Sequence, residues 1–212
     1  MLIRKEHINE DGLLGLWKME ESKEELLQLF PENLRAKASA YVSKIRSERR
    51  ALEWLTTRLM VLILLGEEKI TKRRKTGQPY ITDGSYHISI SHTKDYAAIL
   101  LHKTHLVGID IEARSERVLK IAEKFISENE FIDLSQQVEH QLLHWSAKES
   151  LFKVMNLKGI DFKEHLHIEH FTPSASGMFG AYETKTDAKN HFTIHYEIHP
   201  DYVLTWLISP KK

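Results

Sequence analysis

The sequence has no cysteine among its 212 residues and carries no net charge. The absence of cysteine excludes disulfide bonds, thiolate metal sites and cysteine nucleophiles, and it fits a reducing compartment. Thirty basic residues balance thirty acidic ones, so no overall field favours nucleic acid or an anionic membrane, and we expect neither as a partner. Any site for an anion must therefore be built locally.

Long hydrophobic runs are also missing. The most apolar stretch, 52–66, is too short to span a bilayer and is interrupted by Glu53, two threonines and Arg58, so it predicts a buried helix. The first residues lack the apolar segment that a signal peptide needs. We therefore expect a cytoplasmic protein.

The order of local signals indicates an α+β fold. Ser22 and Glu25 form a capping-box pattern before a helical region that Pro31 divides into two helices. After Gly66 a basic stretch with Gly, Pro and Asp-Gly turn signals predicts a loop rather than an element. Next come a predicted hairpin, a strand over 105–112, a helix from about 134 to 155 and, near the C-terminus, two more strands.

The two halves of the chain echo each other weakly but in the same order. Trp54 corresponds to Trp145 in similar helical segments, and Tyr96 corresponds to Tyr202 in similar strands. This order predicts two similar tandem α+β units, 1–104 and 105–212, related by a pseudo-two-fold axis, with the active site at their seam. A chain duplicated in this way can build its site as a monomer.

The strand 105–112, "HLVGIDIE", lies at that seam and carries two acids. Because side chains two residues apart in a strand share a face, Asp110 and Glu112 project together while Ile109 and Ile111 face the other way. Two neighbouring carboxylates repel each other, and a bound Mg²⁺ would relieve that repulsion. The plain alternative is the end of a strand with two solvated acids.

A second group of polar residues lies in "HWSAKESLFKV", residues 144–154. In a helix Trp145, Glu149 and Lys153 share one face, with Lys148 beside them. The plain alternative is an ordinary surface pair of Glu149 and Lys153, worth only about 0.3–0.5 kcal/mol.

Together these segments resemble the 4'-phosphopantetheinyl transferases, whose signature is GID-x-E followed by W-x-x-KE-S-x-x-K. The resemblance extends upstream to "GQPY" (77–80) and "ISISHTKDYAA" (88–98). It is closest to the two-lobed type that activates surfactin-like peptide synthetases. The signature residues are Gly108, Ile109, Asp110, Glu112, Trp145, Lys148, Glu149, Ser150 and Lys153.

The resemblance implies a Mg²⁺-dependent transfer of the phosphopantetheine arm of coenzyme A to a serine of an apo acyl or peptidyl carrier protein, releasing adenosine 3',5'-bisphosphate. It implies that Asp110, Glu112 and Glu149 bind the metal. Asp110, Glu149 and Lys153 become the catalytic residues, with Glu149 or a metal-bound water as the base for the carrier serine. Lys153 would stabilise the leaving phosphate.

The resemblance also implies a set of groups that bind coenzyme A, and one of them departs from the family pattern. Relatives usually have lysine at the position of Gln78, so we expect weaker binding unless the basic residues 72–75 supply the missing charge. The implied coenzyme A ligands are Arg58, Gln78, Ser91, His92, Lys148 and Lys153.

Two other functions agree with parts of the sequence. His140 and His144 have the spacing of zinc ligands on a helix, but Gln141 stands where that motif needs a glutamate. The alternative to an enzyme is a non-catalytic adaptor, which would have the same fold and bind carrier proteins. Such an adaptor would have no use for the three acids and Lys153.

Overall fold

In the computed structural model, which describes residues 1–209, the chain forms two larger antiparallel sheets and a two-stranded ribbon. A long helix packs on one face of each larger sheet. The helices are α1 (Lys23–Leu29), α2 (Glu32–Val42), α3 (Glu48–Leu65), α4 (Gln137–Met155) and α5 (Phe162–His165). The strands are β1 (Leu2–His7), β2 (Gly12–Lys18), β3 (Thr71–Arg73), β4 (Pro79–Ile81), β5 (His87–His92), β6 (Tyr96–His102), β7 (Val107–Ala113), β8 (Leu166–Ile168), β9 (Ser176–Glu183), β10 (His191–Ile198) and β11 (Tyr202–Ile208).

The first sheet has the strand order β1-β2-β6-β5 and is covered by α3. Ser47 caps the start of α3 by accepting a hydrogen bond from the Arg50 amide, and Gly66 ends the helix with a φ of 72°. The apolar side of α3, including Leu55 and Leu59, is fully buried against the sheet. This packing explains why the apolar run 52–66 forms a core helix.

The second sheet has the order β7-β11-β10-β9-β8, with α4 against β7 and β11. Leu143, Ala147 and Leu151 of α4 are fully buried in this second core. Strands β2 and β6 of the first sheet and β7 and β11 of the second share a third apolar layer, in which Leu100 and Ile109 are fully buried. The site described below therefore rests on a scaffold that both sheets support.

Most of the predicted elements are confirmed. The capping box of Ser22 and Glu25, the break at Pro31, the helix before Met155, the hairpin of β5 with β6 and the C-terminal strands β10 and β11 are present. The predicted loop after Gly66 is wrong in part, because its basic stretch pairs as the β3–β4 ribbon. Within residues 1–209 no helix is long and apolar enough to cross a bilayer.

Gly108 fixes the distance between β7 and α4. A Cβ atom at this position would lie 2.1 Å from the backbone oxygen of Ser150 in α4, which is far inside van der Waals contact. Because the obstructing atom is backbone, it cannot rotate away, and only glycine lets the helix pack this closely on the strand.

Lys148 and Glu130 form a buried ion pair that ties α4 to the chain on either side of it. The Lys148 ammonium donates to Glu130 Oε2 at 2.8 Å and to the carbonyls of Phe125 and Phe162. Glu130 also accepts from the amides of Ser127 and Ile168. Side-chain exposure is 0% for Lys148 and 3% for Glu130. Both buried charges thus have hydrogen-bond partners, and these bonds fix how closely α4 packs against the rest of the protein.

We predict that Gly108→Ala lowers the free energy of unfolding by about 3 kcal/mol, because the methyl group forces α4 away from β7. Chemical denaturation measures the change. Gly180→Ala is the matched control, since there the new Cβ meets only the end of the exposed Glu169 side chain. Equal effects of the two substitutions would contradict the close-packing argument.

We predict that Lys148→Met lowers the free energy of unfolding by about 3–5 kcal/mol, because it leaves the Glu130 carboxylate buried without its cation. The double variant Lys148→Met with Glu130→Gln should lose less than the single variant does. Lys158→Met, at an exposed position, is the control. A loss below about 1 kcal/mol for Lys148→Met would show that the pair contributes little.

Candidate active site

The centre of the site is Asp110, at a buried position on β7. Its side chain is 5% exposed, and its Oδ1 accepts hydrogen bonds from Ser91 Oγ and from Lys153 Nζ, both at 2.8 Å. The other oxygen, Oδ2, is buried and has no hydrogen-bond partner. A carboxylate oxygen without a partner in such a place is an open position for a cation.

The helix α4 presents to these acids the face that the sequence spacing predicts for Trp145, Glu149 and Lys153. Trp145 Nε1 donates to Glu112 Oε1 at 2.8 Å. One turn later comes Glu149, and one turn further Lys153 donates to the Ile109 carbonyl at 2.8 Å as well as to Asp110. The indole and the ammonium therefore orient the two acids of β7 from the helix.

The three carboxylates lie close enough to affect one another. Burial, together with the charge of Asp110, raises the pKa of Glu112 to about 7, and Glu149 adds to this effect. Burial and Asp110 also raise the pKa of Glu149, while Lys153 opposes the shift. One lysine thus offsets only part of the negative charge that the site collects.

The chemistry of these donors fits Mg²⁺. Among residues 1–209 no trio of histidine, aspartate and glutamate side chains already stands in the arrangement of metal ligands. The site nevertheless offers hard carboxylate oxygens, one of them buried and unpaired, and two acids whose pKa values are raised by burial and by neighbouring charge. These are the groups that Asp110, Glu112 and Glu149 would supply to a divalent ion.

A cavity of about 1090 Å³ opens between α2, α3 and β3, and His92 of β5 also lines it. Strand β5 is common to the acid cluster and the cavity, because Ser91 donates to Asp110 and the next residue, His92, lines the cavity. Positive charge dominates its walls, with two acids against six lysines and arginines. These residues are Glu53, Glu68, Lys37, Arg50, Arg58, Lys69, Lys72 and Arg73.

Arg58 lies deep in this cavity. Its guanidinium stacks over Trp54, with Cζ 4.7 Å from the ring centroid, and donates to the Thr71 carbonyl at 3.1 Å. Burial, with a smaller contribution from Arg73, lowers the pKa of Arg58 to about 10, so the side chain stays charged near neutral pH. It is therefore a positioned cation rather than a mobile surface one.

The structure brings four of the predicted coenzyme A ligands to two places, the cavity and the acid cluster, and puts the other two elsewhere. Arg58 and His92 line the cavity, and Ser91 and Lys153 contact Asp110. Lys148 points to the other side of α4, where its ammonium donates hydrogen bonds to Glu130 and to two carbonyls. Direct contact between Lys148 and a ligand does not fit this arrangement. Gln78 accepts a hydrogen bond from Asn156 at 2.9 Å.

Sequence reasoning missed part of the cavity wall. Trp54 and Tyr41 stack at 4.3 Å between ring centroids and form an aromatic layer beneath Arg58. The spacing of Trp54 and Arg58, four residues apart on a helix, was an available signal. The contribution of Tyr41 depends on how α2 packs on α3, which no local pattern indicates.

Comparison with known proteins agrees with the signature in the second half of the chain. Residues 106–207 match the profile of the 4'-phosphopantetheinyl transferase superfamily. A stretch of 102 residues is 33% identical to the 4'-phosphopantetheinyl transferase gsp of Aneurinibacillus migulanus, covering 46% of this chain and 42% of the relative. A similar stretch is 35% identical to the 4'-phosphopantetheinyl transferase psf-1 of Bacillus pumilus, covering 45% and 43%.

These matches span less than half the length of either curated relative. They cover the strand with Asp110 and Glu112 and the helix with Glu149 and Lys153. The segment 106–207 is thus similar to the 4'-phosphopantetheinyl transferase superfamily over the two elements that carry these acids and Lys153.

Proposed function

We propose that the protein transfers the 4'-phosphopantetheine arm of coenzyme A to a serine of an apo acyl or peptidyl carrier protein. The observation that carries this proposal is the meeting of Asp110, Glu112, Glu149 and Lys153 where α4 packs on β7. Such a site can bind a pyrophosphate and a divalent ion together. The second product is adenosine 3',5'-bisphosphate.

We also propose that the chain consists of two related units, 1–104 and 105–212, around a pseudo-two-fold axis. The strand order β2-β6-β5 in the first sheet and β7-β11-β10 in the second supports this, as does the long helix on each. Because one chain supplies both Ser91 and the residues of α4, we propose that it acts as a monomer, in the cytoplasm.

The reaction breaks the bond between the phosphorus nearest the pantetheine and the bridging oxygen of the pyrophosphate, and joins that phosphorus to the serine oxygen. Bound Mg²⁺, held by Asp110, Glu112 and Glu149, would supply charge neutralisation on the phosphate oxygens. Glu149, whose pKa is raised by burial and by Asp110, would accept the serine proton.

Lys153 is suited to stabilise the leaving phosphate. Its ammonium has three N–H groups and uses two on Ile109 O and Asp110 Oδ1. The third can donate to a phosphate oxygen as negative charge develops on the leaving group. The cavity would hold the nucleotide end, with Arg58, Arg73 and His92 near its phosphates.

A direct assay distinguishes this enzyme from a non-catalytic carrier-binding adaptor. The protein is incubated with coenzyme A, Mg²⁺ and an apo carrier protein, and the carrier is weighed by mass spectrometry. The enzyme adds the phosphopantetheine arm to the carrier. An adaptor binds the carrier and leaves its mass unchanged, which would overturn the proposal.

We predict that Lys153→Ala lowers turnover by about 100-fold or more, because transition-state charge on the leaving phosphate is no longer neutralised. The rate of carrier modification measures this. The control is Lys158→Ala, which removes an exposed lysine just beyond the same helix. Unchanged turnover in Lys153→Ala would reduce Lys153 to a structural partner of Asp110.

We predict that Asp110→Asn abolishes the stabilisation that Mg²⁺ gives to the protein and removes Mg²⁺-dependent turnover. The amide is nearly isosteric but is neutral and a poorer ligand for a hard cation. Thermal melting with Mg²⁺ and with EDTA measures the first effect without any substrate. Asp187→Asn, at an exposed loop position, is the control. A melting shift retained in Asp110→Asn would place the metal elsewhere.

A further inference from the structure

Gln78 does not project freely into the basic cavity. It follows Gly77 in the turn of the β3–β4 ribbon, where Gly77 has a φ of 91°, and its side chain is partly buried. Its Oε1 accepts a hydrogen bond from Asn156 Nδ2 at 2.9 Å. Asn156, 78 residues later in the chain, is thus the hydrogen-bond partner of the Gln78 side chain, which the family resemblance implies as a ligand of coenzyme A.

Asn156 is held firmly on its own side of this contact. It ends α4 in the left-handed conformation, with φ 47° and ψ 39°, and its backbone N–H donates to the Phe152 carbonyl. Asparagine tolerates this conformation better than other residues with a side chain. The cap therefore aims the side-chain amide from the end of the helix that carries Glu149 and Lys153.

The ribbon on the other side of the contact forms part of the cavity wall. Thr71, Lys72 and Arg73 of β3 line the cavity, and the Arg58 guanidinium donates to the Thr71 carbonyl. Within the turn, Arg73 donates to the Gly77 carbonyl at 2.8 Å, and the Arg74 amide donates to the Gln78 carbonyl at 2.9 Å. Because these hydrogen bonds connect the turn to both strands, a contact that restrains Gln78 also restrains the whole ribbon.

We propose that Gln78 and Asn156 are a pair of positioning residues: their hydrogen bond fastens the cavity-forming ribbon 71–81 to the end of α4. This aligns the wall that meets the nucleotide end of coenzyme A with the helix that carries Glu149 and Lys153. Gln78 then acts through Asn156 rather than by contact with a phosphate. The consequence for coenzyme A rests on the proposed function, whereas the fastening of the ribbon does not.

The ribbon contains its own reporter for this contact. The exposed residues Lys72, Arg73, Arg74 and Lys75 are sites for trypsin, but cleavage within a paired ribbon requires local opening. Gln78→Ala and Asn156→Gly should each speed cleavage in this segment by about three- to tenfold, the range for one lost side-chain hydrogen bond. The double variant should be cleaved no faster than either single variant, because both remove the same bond.

Asn156→Gly is a clean variant because glycine adopts the left-handed cap at no steric cost and preserves the end of α4. The matched control is Lys189→Gly, which changes another positive-φ residue, at φ 45°, in the loop before β10. Its cleavage rate in segment 72–75 should equal that of the wild type. The proposal would be overturned if the increases in cleavage rate of the two single variants multiplied in the double variant. It would also be overturned if neither single variant changed the cleavage rate.

Kinetics with two cofactors test the role in binding. As positioning residues, Gln78→Ala, Asn156→Gly and the double variant should raise KM several-fold, equally for coenzyme A and its 3'-dephospho analogue, with kcat within about twofold. An effect confined to Gln78→Ala and to the cofactor with the 3'-phosphate would mean direct phosphate contact and overturn the proposal. If the protein modifies no carrier at all, the proposed function fails, while the trypsin experiment still decides on the fastening.

Discussion

The close contact between Gly108 of β7 and the Ser150 carbonyl of α4 is the constraint on which the site depends. It brings the helix so near to the strand that Trp145 reaches Glu112 and Lys153 reaches both Asp110 and the Ile109 carbonyl. A side chain at residue 108 would separate these partners. The glycine of the GID-x-E signature is therefore a packing requirement, and the chemistry of the two acids that follow it depends on that packing.

The site collects more negative charge than the protein itself neutralises. Asp110 has Lys153 and Ser91 as partners, whereas Glu112 has only the indole of Trp145 among the hydrogen bonds to its side chain in the described chain. Burial and mutual repulsion accordingly raise the pKa values of Glu112 and Glu149. A cluster of this kind costs folding free energy unless a cation is bound, which is a physical reason to connect it with a metal-dependent function.

Local patterns predicted the elements that bear the site better than the elements around it. The alternation in β7 put Asp110 and Glu112 on one face, and the one-turn spacing put Trp145, Glu149 and Lys153 on another, whereas the meeting of strand and helix was implied only by the family resemblance. The β1–β2 hairpin and strands β8 and β9 were not predicted. Strand β2 is covered on both faces, so nearly all its residues are buried and the alternation of polar and apolar residues is absent. The ribbon strands β3 and β4, which were predicted as a loop, have only three residues each. Such short pairings are decided by tertiary contacts.

The two lysines of the signature show where residue type alone is insufficient. Lys148 and Lys153 lie five residues apart on α4, and at about 100° per residue this separation turns them roughly 140° away from each other. Lys153 therefore shares the face of Glu149 and meets Asp110, while Lys148 turns into the protein and meets Glu130. One lysine is available to a ligand and the other holds the helix that presents it. The division of labour follows from helix geometry, and it makes the depth of α4, set by Gly108 and by the Lys148–Glu130 pair, the quantity that controls the site.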